Sequence, residues 1–427
     1  MKIAKHTGKR GEKNPSAIRA GKTGSHKNPG KWMANGFLLP SILGVLLFFV
    51  LPFFIVIYYS VIDNPINAEF VGFDNFKMVF ENAAFRQAAF NTMTFSAIAM
   101  PLAVVLSLLL AILMESKIPF KSQFRTFFLS PMMVPIASVV LIWQVLFHYN
   151  GMMNEVIGWF GKDKIDWLNS DYAQVVIIVL FLWKNLGYNM ILFMSALSSI
   201  PKDILEVAVL ESATPMQIFW HIKLRYLSST ILFVTIMSLI NSFKVFREIY
   251  LLKGDYPYPT MYMLQHFMNN TFSKLDYQKM SAAAIMMAVV MVIIIGILFL
   301  TENYFGKMSL KRRDPAELWS RRLKRRKKIK NTRRMIRILL GTMVAGCFAV
   351  LFLMPIILTI TNSFMSSSEI AANYGQVFAT TDSGGKVFIS SKVNLKFIPD
   401  MVSFSQYVTV LFKSPDYLLK FWNSVIL

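Results

Sequence analysis

Residues 199–226 read SIPKDILEVAVLESATPMQIFWHIKLRY, an amphipathic stretch set between two long apolar runs. Its local chemistry predicts two short helices with a break between them. Pro201 suits a first helical position, where its missing N–H is no loss. Asp203 and Glu206 then fall near the positive end of that helix. Ser212 and Ala213 interrupt the pattern. Thr214, Pro215 and Gln217 have the order of an N-cap, a first-turn proline and a capping-box partner, so a second helix restarts there. Ile218, Phe219, Ile222 and Leu224 give that helix a partly apolar face. An amphipathic loop lying on lipid would show much of the same pattern.

The particular residues carry more than the pattern. Ile200-Pro201, Leu205, Glu206-Val207-Ala208, Glu211-Ser212-Ala213, Gln217, Ile222 and Leu224 resemble the cytoplasmic coupling loop, the EAA loop, of binding-protein-dependent ABC importer permeases. The family pattern runs roughly IPxxLxEAAxxDGA. Val207 stands here for an alanine, and Tyr226 stands where a closing proline is usual. Ser212 stands for the glycine of the bend, so a left-handed backbone there carries a penalty.

Composition agrees with a membrane protein. The chain has 427 residues, of which 55% are hydrophobic, and several apolar runs exceed the ~18–20 residues that cross a bilayer. The expected class is an all-α polytopic membrane protein, since barrel strands would be short and alternating. Net charge is +22. Positive-inside topology accounts for that better than nucleic-acid binding, and no nucleic-acid partner is expected. Cys347 is the one cysteine and can form no internal disulfide. His6, His26, His148, His221 and His266 are scattered without metal-ligand spacing. Ala20-Gly21-Lys22-Thr23 looks like the end of a phosphate loop, but Ser16 occupies the first-glycine position and no strand precedes it. No cofactor, metal or catalytic constellation is expected, so the chain is not read as an enzyme.

In order, residues 1–31 form a basic tail, and spans are expected near 34–60, 91–114, 126–148, 173–198, 227–251 and 281–301. Ser281-Ala282-Ala283-Ala284 suits close helix packing. Residues 307–337 are a second basic block, and a seventh span is expected near 338–361. Other segments resemble sugar-importer permeases: Val71-Gly72-Phe73-Asp74-Asn75-Phe76, Trp183-Lys184-Asn185-Leu186-Gly187-Tyr188, and Ser242-Phe243-Lys244-Val245-Phe246. With the N-terminus inside, segments 1–31, 115–125, 199–226 and 302–337 are cytoplasmic and hold 30 of the 45 Lys and Arg.

The segment after Arg333 resembles the start of the second permease of maltose- and glycerol-phosphate-type importers. The resemblance therefore implies a type I ABC importer transmembrane domain: a six-helix unit over 32–306, then one or two helices of an incomplete second unit over 338–427. It implies a multi-pass plasma-membrane permease that takes a carbohydrate along its path. It also implies an ABC ATP-binding subunit dimer docked through Glu206, Ala208, Glu211, Ser212 and Ala213, a second permease unit, and an extracytoplasmic solute-binding protein. Solute contacts carried over from the family fall at Leu186, Gly187, Met190, Ser238, Asn241 and Ser242, although asparagine and serine also serve helix–helix hydrogen bonds. A secondary carrier would need mid-span acids, which spans one to six lack in the sequence reading; a non-transporting scaffold is the other alternative.

Overall fold

A computed structural model describes residues 38–116, 118–310, 331–374 and 395–426. The basic tail at 1–31 and the core of the basic block, 311–330, lie outside the described residues. The chain divides into two units, Met1–Val56 and Ile57–Leu427. Among the described residues the architecture is all helical, with only an isolated bridge between Ile62 and Phe70.

Six helices are long and apolar enough to cross a membrane. They are α1 (Leu38–Ser60), α3 (Ala83–Glu115), α7 (Ala173–Ser198), the α10–α11 pair within Ser228–Lys253, α13 (Tyr277–Leu310) and α14 (Asn331–Ser363). Helix α1 carries a π-turn at Leu46–Val50. Helix α2 (Asp74–Glu81) leads into α3, whose start is capped by Asn82: its Oδ1 accepts from the amides of Ala84 at 2.9 Å and Phe85 at 3.3 Å.

The third span differs from the expectation of one helix over 126–148. It is two helices, α4 (Lys121–Met133) and α5 (Ile136–Leu146), bent by 99°. The reason lies at Val134-Pro135. A residue before proline is pushed out of the α region, and Val134 is extended at φ −85°, ψ 133°. Pro135 follows at ψ 131° and cannot donate back. The two pieces, 13 and 11 residues long, are each too short to cross the ~30 Å hydrocarbon core, and the short helix α6 (Met152–Trp159) follows them.

The interior of the second unit is built from α3, α4, α5, α7 and α10 (Ser228–Phe243). Phe95, Phe128, Ile177, Met190, Phe193 and Leu227 are closed off inside it. Helix α7 comes so close to α4 that a Cβ on Gly187 would lie 1.8 Å from the carbonyl oxygen of Phe128. Between lipid-solvated helices such close approach supplies the van der Waals contact that drives association. A smaller cluster joins Val79 of α2, Phe85 and Ala88 of α3, Leu264 and Phe267 of α12 (Leu264–Ser273), and Ala282 and Ala283 of α13. The small residues that open span six therefore do pack closely.

Helix α14 packs on α4 and α5. Trp183 of α7 donates its indole N–H to the carbonyl of Phe352 in α14 at 3.2 Å. Beyond α14 lie the helix Ser367–Tyr374 (α15), a helical segment from Ser405 to Lys413, and the exposed helix Pro415–Ile426 (α16).

Candidate functional site

The loop between α7 and α10 folds as two helices: α8 (Lys202–Leu210) and α9, which begins at Pro215–Ile218 and runs on through a π-turn at Phe219–Lys223 to Tyr226. Pro201 is the N-cap, one position before the one expected. The end of α8 is a Schellman turn. The amide of Ser212 donates to the carbonyl of Val209 at 3.0 Å, and that of Ala213 to the carbonyl of Ala208 at 2.9 Å. This closure requires a left-handed residue, and Ser212 adopts φ +62° without being glycine. Then α9 restarts through the expected capping box: the Gln217 amide donates to Thr214 Oγ1 at 3.3 Å, and the Thr214 amide to Gln217 Oε1 at 2.9 Å.

The exposures sort the loop residues. Glu206 is exposed, Ala208, Glu211 and Ser212 are half-buried, and Ala213 is buried under the turn. Val207, Val209, Leu210, Met216 and Trp220 are exposed beside them. Ile218, Phe219, Ile222 and Leu224 are half-buried, as their spacing predicts. The knob thus shows apolar side chains flanked by carboxylates. Lys223 at its far end makes an ion pair with Glu115 at the end of α3. That pair ties the loop to the end of the helix crossing beside it.

A polar ladder runs between α7 and α10. Asn189 Nδ2 donates to Ser238 Oγ at 3.0 Å, and Asn241 Nδ2 to Asn185 Oδ1 at 3.0 Å. Ser242 Oγ shares a hydrogen bond with Ser96 Oγ of α3 at 2.8 Å. One rung further, Lys184 forms an ion pair with Glu248 of α11 (Phe246–Lys253). Leu186, Gly187, Met190, Ser238 and Ser242 are closed inside the bundle in this conformation, and Asn241 is half-buried.

The opposite end is held by asparagine hubs. Asn91 Nδ2 donates to the carbonyls of Pro259 at 2.6 Å and Tyr262 at 2.9 Å. Asn154 Nδ2 bonds the carbonyls of Tyr149 and Ile165, while its Oδ1 accepts from Ile165 and Trp167. His266 is fully buried, with Nδ1 accepting from the Met263 amide at 3.2 Å. Burial holds its pKa down at about 4. Burial also lowers the pKa of His148, with Asp166 opposing.

Sequence reasoning missed both ion pairs as pairs. Lys184 and Glu248 stand 64 residues apart in the sequence, and nothing local says that they meet.

Residues 103–307 match the family of binding-protein-dependent transport system inner membrane components. They are a permease domain of that family. The sn-glycerol-3-phosphate transport system permease protein UgpA of Yersinia pestis bv. Antiqua (strain Antiqua) is 26% identical over 282 residues, 64% of this chain and 95% of that protein. The arabinooligosaccharides transport system permease protein AraP of Halalkalibacterium halodurans is 27% identical over 213 residues, 47% of this chain and 67% of that protein. The crystal structure of a bacterial ABC transporter involved in the import of the acidic polysaccharide alginate superposes with a TM-score of 0.58, at 23% identity, over 64% of this chain and 96% of that one. The chain is therefore a multi-pass membrane protein with the fold of a type I ABC importer transmembrane domain.

Proposed function

We propose that this permease forms part of the translocation path for a carbohydrate in an ATP-driven importer and takes its drive from a separate ATP-binding subunit dimer. The observation that carries the reading is the 199–226 loop: an exposed apolar and acidic knob, rigidly capped, and tied by Lys223–Glu115 to a membrane-crossing helix. A knob of that kind gives a partner something to grip and a stiff lever to push. Glu206, Ala208, Glu211 and Ser212 form the docking face, and buried Ala213 keeps the turn closed. When the ATPase dimer closes, the lever moves and two permease halves rock between inward and outward openings.

The second half is either the unit that begins near residue 338 or a separate chain. Cargo arrives from an extracytoplasmic solute-binding protein. The relatives' names, a glycerol-phosphate and an arabinooligosaccharide system, support a small polyol or sugar cargo. Lys and Arg concentrate in 1–31, 115–125 and 302–337, which supports a cytoplasmic N-terminus and, by alternation of the spans, a cytoplasmic knob. The leucine, asparagine and serine positions of α7 and α10 open onto the path when the halves rock.

The test is an affinity pull-down from membranes combined with uptake. Co-purification of an ATP-binding subunit is expected. Glu211→Lys, or Ala208→Phe, should abolish uptake and ATPase co-purification while membrane insertion stays intact. Normal uptake in both variants would sink the docking assignment.

A further inference from the structure

Helix α2 lies at the end of the bundle opposite the knob. It packs on Phe85 near the start of α3, and the far end of α3 carries the Glu115 that pairs with Lys223. The depth of α2 follows from α13. Between Lys279 and Glu302 that helix has 22 residues without a charge, about 33 Å of rise, which matches the ~30 Å hydrocarbon core. Lys279 is ion-paired to Asp276 at 2.7 Å, and this pair marks where α13 leaves the apolar layer. Val79 of α2 packs with Ala282 and Ala283, about one turn inside that mark. Val289, Val292 and Ile293, further along α13, stand exposed, so α2 rests on a helix at the perimeter of the unit.

The rotation of α2 is fixed as well. Asn75 Nδ2 donates to the carbonyls of Ser60 at 3.1 Å and Ile62 at 2.7 Å, and Asn75 and Val79 are both buried against the bundle. At about 100° per residue, the rest of the helix divides into two flanks. Phe76 and Phe80 lie on one flank, and Phe73 joins them with its ring 5.6 Å from that of Phe76. Asp74 and Glu81 lie on the other, beyond Lys77, with Met78 at its edge. Phe73 is 81% exposed and Phe80 62%. In water, two large rings held out on one flank gain nothing. At a membrane surface the aromatic flank turns to lipid and the acidic flank to water. Further rings gather at the same end: Tyr277 at the start of α13 lies 6.3 Å from Tyr59 and 5.8 Å from Phe272. We infer that α2 is an interfacial helix that beds Phe73 and Phe80 in the lipid leaflet opposite the knob, with Lys77 reaching the headgroups. The anchoring requires only that the chain crosses the membrane. On the importer reading above, it also gives the rocking bundle a fixed depth at that surface.

The full chain carrying Cys347→Ala, in lipid nanodiscs, is given one new cysteine at a time: Phe73→Cys, Phe80→Cys or Glu81→Cys. Each bears a polarity-sensitive fluorophore. Nitroxide quenchers are then placed shallow in the acyl chains, deep in the acyl chains, or in the water, and a label at Val292→Cys calibrates the deep position. The labels at 73 and 80 should be quenched roughly twofold or more strongly by the shallow nitroxide than by the other two, since an interfacial helix beds about 5–10 Å deep. The label at 81 should be quenched most from the water. Equal behaviour of the two flanks, from lipid or from water, overturns the inference. Protection of 73 and 80 from every quencher means that a protein covers the aromatic flank, and overturns it too. Should Phe80→Cys fail to fold, Phe73→Cys, which precedes the helix, answers by itself. None of these outcomes depends on the ATP-binding subunit, whose absence would be read from the pull-down above.

Discussion

Replacing Ser212 by glycine should tighten the knob. Ser212 is held at φ +62° because the Schellman closure of α8 needs a left-handed residue there. A residue with a Cβ carries about 1–2 kcal/mol of strain in that conformation. Glycine removes the strain but adds about 0.5–1 kcal/mol of unfolded-state freedom. The net gain is about 0.5–1 kcal/mol. Hydrogen exchange in the native state reads it directly. The amides of Ser212 and Ala213 donate to Val209 and Ala208, so they exchange only when the turn opens. Ser212→Gly should slow Ala213 exchange roughly two- to fivefold, while Ser212→Val, β-branched at positive φ, should speed it at least roughly fivefold. The amide of Ile165, bonded to Asn154 at the other end of the bundle, is the control and should not change. Unchanged or faster exchange in the glycine variant would refute the claim that left-handed strain limits the turn.

Other expectations follow from the same geometry. Gly187→Ala should cost about 1–3 kcal/mol or more and lower the yield and melting temperature of the purified protein, because its Cβ meets Phe128 backbone at 1.8 Å; Gly296→Ala, with nothing within 4 Å, should be neutral. His266 titrates from 6.5 in the unfolded chain to about 4 when buried, so the unfolded state binds the extra proton between those values. Stability contributed by neutral His266 is complete above pH 6.5 and falls as pH drops toward 4, and His266→Gln should flatten that part of a melting-temperature profile. The Lys223–Glu115 pair is partly exposed, so a double-mutant cycle on stability should give only about 0.2–1 kcal/mol. Its larger effect should be on uptake, where Lys223→Glu fails and Lys223→Glu with Glu115→Lys recovers.

Much of the knob was legible because its determinants lie within a turn of one another. Thr214 and Gln217 are three residues apart and cap whatever follows them. Ser212 sits where the chain must reverse, and its positive φ follows from that need. Ala282 and Ala283 are buried because small residues at a span's start invite a neighbour. Prolines were less decisive. Pro101, Pro131 and Pro355 all lie inside continuous helices, yet Pro135 breaks one by 99°. A proline costs a helix ~3 kcal/mol, a sum that neighbouring helices can offset or leave standing.

Sequence by itself determined the order of the apolar segments, the caps and bend of the knob, and the charge asymmetry along the chain, since hydropathy, capping and left-handed turns act over a few residues; that the third apolar segment is a pair bent by 99° was decided by the structure. Only the tertiary structure decided that Lys184 meets Glu248 across 64 residues, that Lys223 meets Glu115 across 108, and that α14 lies on α4 and α5 with Trp183 bonded to Phe352. Those contacts depend on which helix faces which. In a bilayer that choice rests on close packing and cross-helix hydrogen bonds summed over the whole bundle, and no single stretch of sequence contains it.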